Sequence, residues 1–426
     1  MQALRGKHRA RHRYPRAAMW AAGGFGLAAL VWMIVGVPAF VKYPTDIDVT
    51  TEYEGTFSLL VDPGSAAPLD EPMEMPLTVH RHLQAIGSES GASRVVVEER
   101  IDQQAGDLVD ITQTNTYVMD RSSIENVADD RAFAFDEGNM VDRSGAFRLH
   151  LPFDTSRGET YPIYQNEIDD TYTLVPDTET PTVELEGLEL SNFVAAVDEA
   201  PLTDVYLAQL RQEVPLPESL TLDQLAPHLA AFGIDVDAVM AALTPVLTPE
   251  DTATLAEFAA TPIDLEYVLS LGGQVAIEPV TGAQVRVDVN SERFAARPVL
   301  TDLPALQGVL GNYPDVPEAV ATNEALDELA TAPAIPVFEF SYQQTPASIA
   351  EVADDVRPMR TQVLLAKVWL PLGLLAAGLV SLAVGAAVYL RRGPTGGRVH
   401  DMTTPPTAPR PTHEERETVT TGRSAA

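Results

Sequence analysis

The chain has 426 residues, 45% of them hydrophobic and none of them cysteine. That suffices for a substantial core, while the lack of thiols excludes disulfides, thiolate metal sites and cysteine nucleophiles. The formal net charge of −33 argues against nucleic acid as a partner, because phosphate would be repelled.

Residues 1–16 form a basic arm, with Arg5, Lys7, Arg9, Arg11, Arg13 and Arg16 and no acid, suited to anionic lipid headgroups. Ala17–Phe40 is uncharged and long enough to cross a bilayer. The following Val41-Lys42-Tyr43-Pro44 lacks a small-x-small cleavage site, so an uncleaved anchor is expected. A second uncharged run, Val368–Leu390, ends at Arg391-Arg392. Positions 42–367 between them hold 57 acidic against 16 basic residues. Basic tails and an acidic middle predict a two-pass plasma-membrane hairpin, both termini cytoplasmic and the large domain exoplasmic. Ala18, Ala22 and Gly26 in the first span, and Gly373, Ala377, Ser381 and Gly385 in the second, are small residues at four-residue spacing. Such stripes let helices approach closely in lipid, so the spans are expected to pack within one chain or in a homodimer. Trp20 and Trp32 are expected at the two interfaces. Residues 391–426, rich in Pro, Thr and Arg, read as a disordered cytoplasmic tail.

From Asp46 the texture has period two. Val49, Thr51 and Tyr53, then Phe57, Leu59 and Val61, alternate with polar residues up to an Asp62-Pro63-Gly64 turn. Leu77, Val79, Arg81 and Leu83 share a strand face opposite Thr78, His80, His82 and Gln84. Arg94–Ile101 and Leu108–Met119 read as a hairpin across Gln103-Gln104-Ala105-Gly106. Phe147, Leu149, Leu151 and Phe153 predict an inward-facing strand, and Thr182–Leu190 a hairpin turning at Gly187. Between about 203 and 261 the period becomes helical. Thr221 caps a helix with Leu222, Leu225 and Leu229 inward and Gly233 as its stop. Asp235–Leu247 follows, and Thr248-Pro249 opens a third helix. The β texture resumes as Ile263–Leu269, Gln274–Glu278 and Gln284–Val289, the last two joined by Pro279-Val280-Thr281-Gly282. A helix near Asn323–Leu329 precedes a last strand holding Phe338, Phe340 and Tyr342. Thr345-Pro346 starts a helix that runs toward the second span, with a kink expected at Pro358. The fold class is therefore α+β: a β-rich antiparallel domain, barrel-like or strongly curved, with an inserted helical cap and two flanking transmembrane helices.

Chemistry is sparse. His80 and His82 share a strand face but have no carboxylate nearby in sequence, and His150 and His228 read as surface residues. Asp129-Asp130 and Asp136-Glu137-Gly138-Asn139 lack the spacing of a calcium loop. Gly87-Ser88-Glu89-Ser90-Gly91 has Glu where a nucleophile elbow needs Ser. Phosphate-binding, HExxH and dinucleotide motifs are absent. No catalytic residue, metal ligand or cofactor is expected, and no enzyme.

The block Met140–Ile168, with its DRSG, its LPF and the following TYPIY, resembles the actinobacterial porin PorA family, a domain of otherwise unknown function. Tyr117-Val118-Met119-Asp120-Arg121 and Glu278-Pro279-Val280-Thr281-Gly282 fit the same pattern. The two-span topology also resembles the class B scavenger receptors, whose β-barrel ectodomain holds a lipid tunnel, an analogy of architecture alone. Together these imply a cell-envelope protein whose exoplasmic domain binds or conducts a lipid or other hydrophobic component. The alternative is a structural or complex-assembly protein. The expected partners are membrane lipids, with a homodimer or an envelope protein beside them. Porin activity ranks below both readings, since a membrane β-barrel needs no apolar helices.

Overall fold

The computed structural model describes residues 13–62, 67–88, 93–329 and 332–391. The basic arm before Arg13, Pro63-Gly64, Glu89–Gly91 and the tail after Arg391 lie outside the described residues. Two compact units divide the chain: Met1–Leu27 with Leu374–Ala426, and Ala28–Gly373.

Two helices are long and apolar enough to cross a membrane, Ala17–Phe40 and Pro346–Arg391. The first is α1 (Arg13–Val31), prolonged through a π turn at Trp32–Gly36 and a last turn at Val37–Phe40.

The larger unit is built on antiparallel strands. In chain order they are β1 (Asp48–Val61), β2 (Pro68–Ser88), β3 (Arg94–Ala105), β4 (Val109–Asp120), β5 (Phe133–Ala134), β6 (Asp136–Met140) and β7 (Tyr161–Gln165). Then come β8 (Asp170–Pro176), β9 (Thr182–Leu185), β10 (Leu188–Pro201), β11 (Ser219–Leu220), β12 (Ile263–Glu278), β13 (Ala283–Pro298) and β14 (Ile335–Gln344). The spatial order is β6-β5-β4-β3-β2-β1-β14-β13-β12-β10-β8-β7, with β9 on β10 and β11 on β12. The sheet curls into a half-barrel. Its central pair joins opposite ends of the sequence, Phe57 of β1 lying across from Phe340 of β14. Alternation gives the curled sheet its inner and outer faces: in β4, Val109, Ile111, Gln113, Asn115 and Tyr117 are buried while Asp110, Thr112 and Thr114 face out.

The strand pattern departs from expectation in three places. β12 is one 16-residue strand where two were expected, its register slipping at Gly272/Gly273. A Cβ at Gly273 would stand 2.7 Å from the Asp288 carbonyl oxygen, so only glycine admits that approach. The hairpin of β3 and β4 turns later than expected, at Gly106 with φ +55°. Residues 147–153 keep the buried alternation of Phe147, Leu149 and Leu151 but form only a single parallel bridge, Phe147 to Ile163. The hairpin at Gly187 forms as read, with φ positive at both Glu186 and Gly187.

Helices enter the sheet as two insertions. The first holds α2 (Asp204–Glu213), α3 (Leu222–Ala231), α4 (Val236–Leu243) and α5 (Pro249–Ala260). Thr203, Thr221, Asp235 and Thr248 cap them in turn, Thr221 through a capping box with Gln224. The second, between β13 and β14, holds α6 (Leu303–Gly311) and α7 (Pro317–Leu329), more helix than the expected stretch near Asn323. Neither buries its apolar face alone. Leu225, Leu229, Val239, Leu243 and Leu255 share one cluster with Val309, Leu310, Leu326 and Leu329.

Thr345 caps α8 (Pro346–Leu364), which contains Pro358 without a break. The hydrogen bonding leaves the α pattern only at a π turn, Leu365–Trp369, before α9 (Leu370–Arg391). Trp32 donates its indole N–H to the Ala366 carbonyl at 2.8 Å, so this ring bridges the two π turns.

Candidate functional site

The residues of the DRSG block close the half-barrel. Arg143, 2% exposed, donates Nε to Asn166 Oδ1 (2.9 Å), beyond the end of β7. Its Nη1 reaches the Thr116 carbonyl of β4 (2.9 Å) and Nη2 the Phe133 carbonyl of β5 (2.7 Å). The guanidinium also lies 4.4 Å from the Tyr117 ring centroid and 5.5 Å from that of Tyr164. One side chain thus ties together the two free ends of the sheet. The Gly282 turn supports the same joint: its carbonyl accepts from Leu151 N (2.9 Å), and φ +81° with Leu151 and Pro152 carbonyls close by leaves no room for a Cβ. Glu278 holds that turn by accepting from both N and Oγ1 of Thr281 at 2.8 Å.

Inside the half-barrel lies a polar chamber of about 120 Å³. Arg81 of β2 donates to Glu99 of β3 at 2.7 Å, and Tyr117 donates to the other Glu99 oxygen at 2.7 Å. From the opposite side, Arg148 donates to Gln165 (2.7 Å), which donates to Glu167 (2.6 Å). Tyr342 of β14 donates to Glu292 of β13 at 3.2 Å. Burial works against the Glu99 charge, yet Arg81, Arg148 and the two hydrogen bonds prevail and lower its pKa to about 2. Glu292 goes the other way, raised to about 7 by burial and then by the Glu167 charge. Four buried polar atoms on this wall have no partner: Gln103 Oε1, Gln113 Oε1, Arg148 Nε and Asp288 Oδ1.

A second chamber, about 250 Å³, lies in the helical layer. Its lining is aliphatic and aromatic, including Leu225, Val239, Leu243, Phe258, Leu310 and Leu326; Asp223, Asp237 and Thr322 are the polar exceptions. The inward residues of β12 give the order of the parts. Val275, Gly273 and Leu271 line the polar chamber, Leu269 belongs to the main core, and Ile263 lines the apolar one. That core is aromatic, with Phe57, Phe294, Phe338 and Phe340 each at most 1% exposed. Phe294 and Phe338 stack with centroids 4.6 Å apart.

The histidines do not converge. His80 and His82 do find carboxylates, from the neighbouring strand: Glu52 at 3.9 Å and Asp48 at 2.8 Å. His150 and His228 are buried, 6% and 5% exposed, which corrects their reading as surface residues. His150 packs edge-on to Tyr43, and burial lowers its pKa to about 4. Its segment is irregular, so strand alternation does not decide which side chains point out. Asp129 is held by Arg131 (2.7 Å) and Arg94 (3.4 Å). Among the described residues no group of three or more His, Asp or Glu is placed to hold a metal ion.

In the smaller unit, Gly385 meets Ala18 so closely that a Cβ there would overlap the alanine methyl. Gly378, outside the expected stripe, lies against Ala22 and Phe25. Gly26 and Gly373 face open space, and Ser381 donates back to the Ala377 carbonyl at 2.8 Å.

The family model of porin PorA matches residues 18–387. The chain belongs to the porin PorA family. No curated protein matches it. For this PorA-family chain, the DRSG block that carries the sequence resemblance is the clasp of the half-barrel. Sequence reasoning noticed the block but not its role, which depends on β4, β5 and β7 arriving at one place. The two chambers left weaker marks in sequence: leucines spread over two insertions, and glutamines on inward strand positions.

Proposed function

We propose that this PorA-family protein is a two-pass envelope membrane protein, termini in the cytoplasm and large domain outside. Its helical layer binds a lipid chain or other hydrophobic envelope component, without enzymatic action. The observation that carries this reading is the 250 Å³ apolar chamber, larger than the ~150 Å³ engineered cavity that stays dry and admits benzene. The chamber is open on one side, so its apolar wall is wetted, and an apolar occupant gains roughly 25 cal/mol for each Å² of that wall it covers. The outer face of the sheet supports an aqueous location: Glu52, Glu54, His80, Arg100 and Asp110 are exposed on it. An Arg on the lipid face of a membrane barrel costs about 2–4 kcal/mol at mid-plane, which disfavours pore formation by these strands.

The test is native mass spectrometry of the full chain released from nanodiscs made with total envelope lipid. The wild type should retain a reproducible apolar adduct, and Val239→Trp, which fills the chamber, should lose it. A bare wild-type chain, or equal retention by a folded Val239→Trp, would reject the reading. One alternative is docking of an envelope protein, favoured by the acidic domain, or of a second copy, favoured by the small-residue stripes, and crosslinking in membranes that recovers neither would count against it.

A further inference from the structure

The polar chamber is not accounted for by an apolar ligand. We propose that it is a second binding site, for a small neutral polyol, held by Gln103, Gln113, Asp288 and Arg148.

Three of these side chains, Gln103, Gln113 and Asp288, are at most 5% exposed. Each leaves an oxygen without a partner, and Arg148 leaves its Nε–H. Unpartnered buried polar atoms are unfavourable, so the wall is built for something that supplies hydrogen bonds. A hydroxyl both donates and accepts. Three hydroxyls on one guest therefore supply a donor for each of the three acceptors and an acceptor for the one N–H, and adapt whichever way the two amides are turned.

Charge narrows the class. An anion would face Glu167, Asp288 and Glu292, and a cation would face Arg81 and Arg148. Within the wall these charges already answer one another: Arg81 holds Glu99, and Arg286 holds Asp288. A neutral guest leaves those pairs intact. Size narrows it further, because about 120 Å³ is room for about four waters at ~30 Å³ each. A three- or four-carbon polyol fills that space with its hydroxyls directed at the wall. Exposed Gln274 and half-buried Gln284 stand at the chamber's edge and give it a polar margin.

The same hydroxyl pattern is offered by free glycerol and by the head of phosphatidylglycerol. The experiment is saturation-transfer NMR on glycerol, using the full chain purified without glycerol. It is run in phosphatidylcholine nanodiscs and again in discs containing phosphatidylglycerol. Transfer to the glycerol C–H protons is expected, with affinity about tenfold weaker in Gln113→Met, the loss of one hydrogen bond. Gln103→Met is the second variant, used if the first does not fold. Equal transfer in both discs identifies a soluble polyol; transfer suppressed by phosphatidylglycerol identifies the headgroup. No transfer in either disc, or transfer that neither substitution weakens, leaves water as the only occupant and overturns the proposal.

Discussion

Replacing Arg143 by Ala tests the clasp directly. The side chain is 2% exposed and makes three hydrogen bonds, two of them to backbone carbonyls on different strands. Hydrogen bonds from a charged donor contribute about 1.5–3 kcal/mol each, and stacking on Tyr117 adds about 1 kcal/mol. The removed guanidinium leaves space that water enters and thereby satisfies part of what is lost. The net expectation is a loss of about 3–5 kcal/mol, the range seen when one partner of a buried charged network is deleted. Urea unfolding of the full chain in nanodiscs, followed by near-ultraviolet circular dichroism, reads this as a lower midpoint. Limited proteolysis should in addition open residues 141–146 first. Arg143→Lys should recover less than half, because one ammonium cannot span Asn166, Thr116 and Phe133. A loss under about 1 kcal/mol, or a fully functional Lys, would mean that the sheet closes without this residue.

Two further predictions concern pH and the spans. Burial raises the Glu292 carboxyl from its ordinary 4.5 to about 7. Its stabilisation is therefore complete below pH 4.5 and lost as pH rises through 7, by about 3 kcal/mol. His150, lowered from 6.5 to about 4, works in the opposite sense, stabilising above pH 6.5 and losing that as pH falls through 4. The two offset each other in the wild type, so Glu292→Gln should unmask a midpoint that climbs between pH 4 and 6.5. A variant whose profile parallels the wild type would refute the assignment. In the membrane, a Cβ at Gly378 would stand 3.4 Å from that of Phe25, near disulfide spacing, which predicts that F25C with G378C forms a disulfide within one chain. The protein has no other cysteine, so an interchain band alone would place the contact between copies instead.

What could be read from the sequence depended on how local the signal was. The caps at Thr221 and Thr248, the Gly187 hairpin and the alternation of β4 are set by residues a few positions apart, and each formed. The joining of β12 into one strand was not legible, because Gly272-Gly273 reads locally as a break. It is the close Asp288 backbone, brought by β13, that makes glycine necessary there. The segment 147–153 misled for a related reason. Its alternation is that of a strand, but single contacts fix it, from Phe147 to Pro162 and Tyr164 and from Leu151 to the Gly282 turn, and His150 is buried. The helical chamber was half visible: apolar residues at helical spacing announced α3 and α4 and the Thr248-Pro249 start announced α5, yet the wall supplied by α6 and α7 lies more than forty residues on.

The order of the parts along β12 bears on whether an apolar guest is held or passed on. From the helical chamber, any route through the half-barrel meets Phe57, Phe294, Phe338 and Phe340, all essentially solvent-free and in mutual ring contact. Displacing even one such ring forfeits about 3–5 kcal/mol, judged from Phe-to-Ala truncations in cores. Beyond that barrier an acyl chain would enter a wall of Arg81, Arg148, Glu167 and Glu292, where it offers no hydrogen bond. Both steps oppose an acyl chain, and neither opposes its residence among Leu225, Leu243 and Leu326. For an apolar guest, retention in the helical layer is thus physically favoured over passage through the half-barrel.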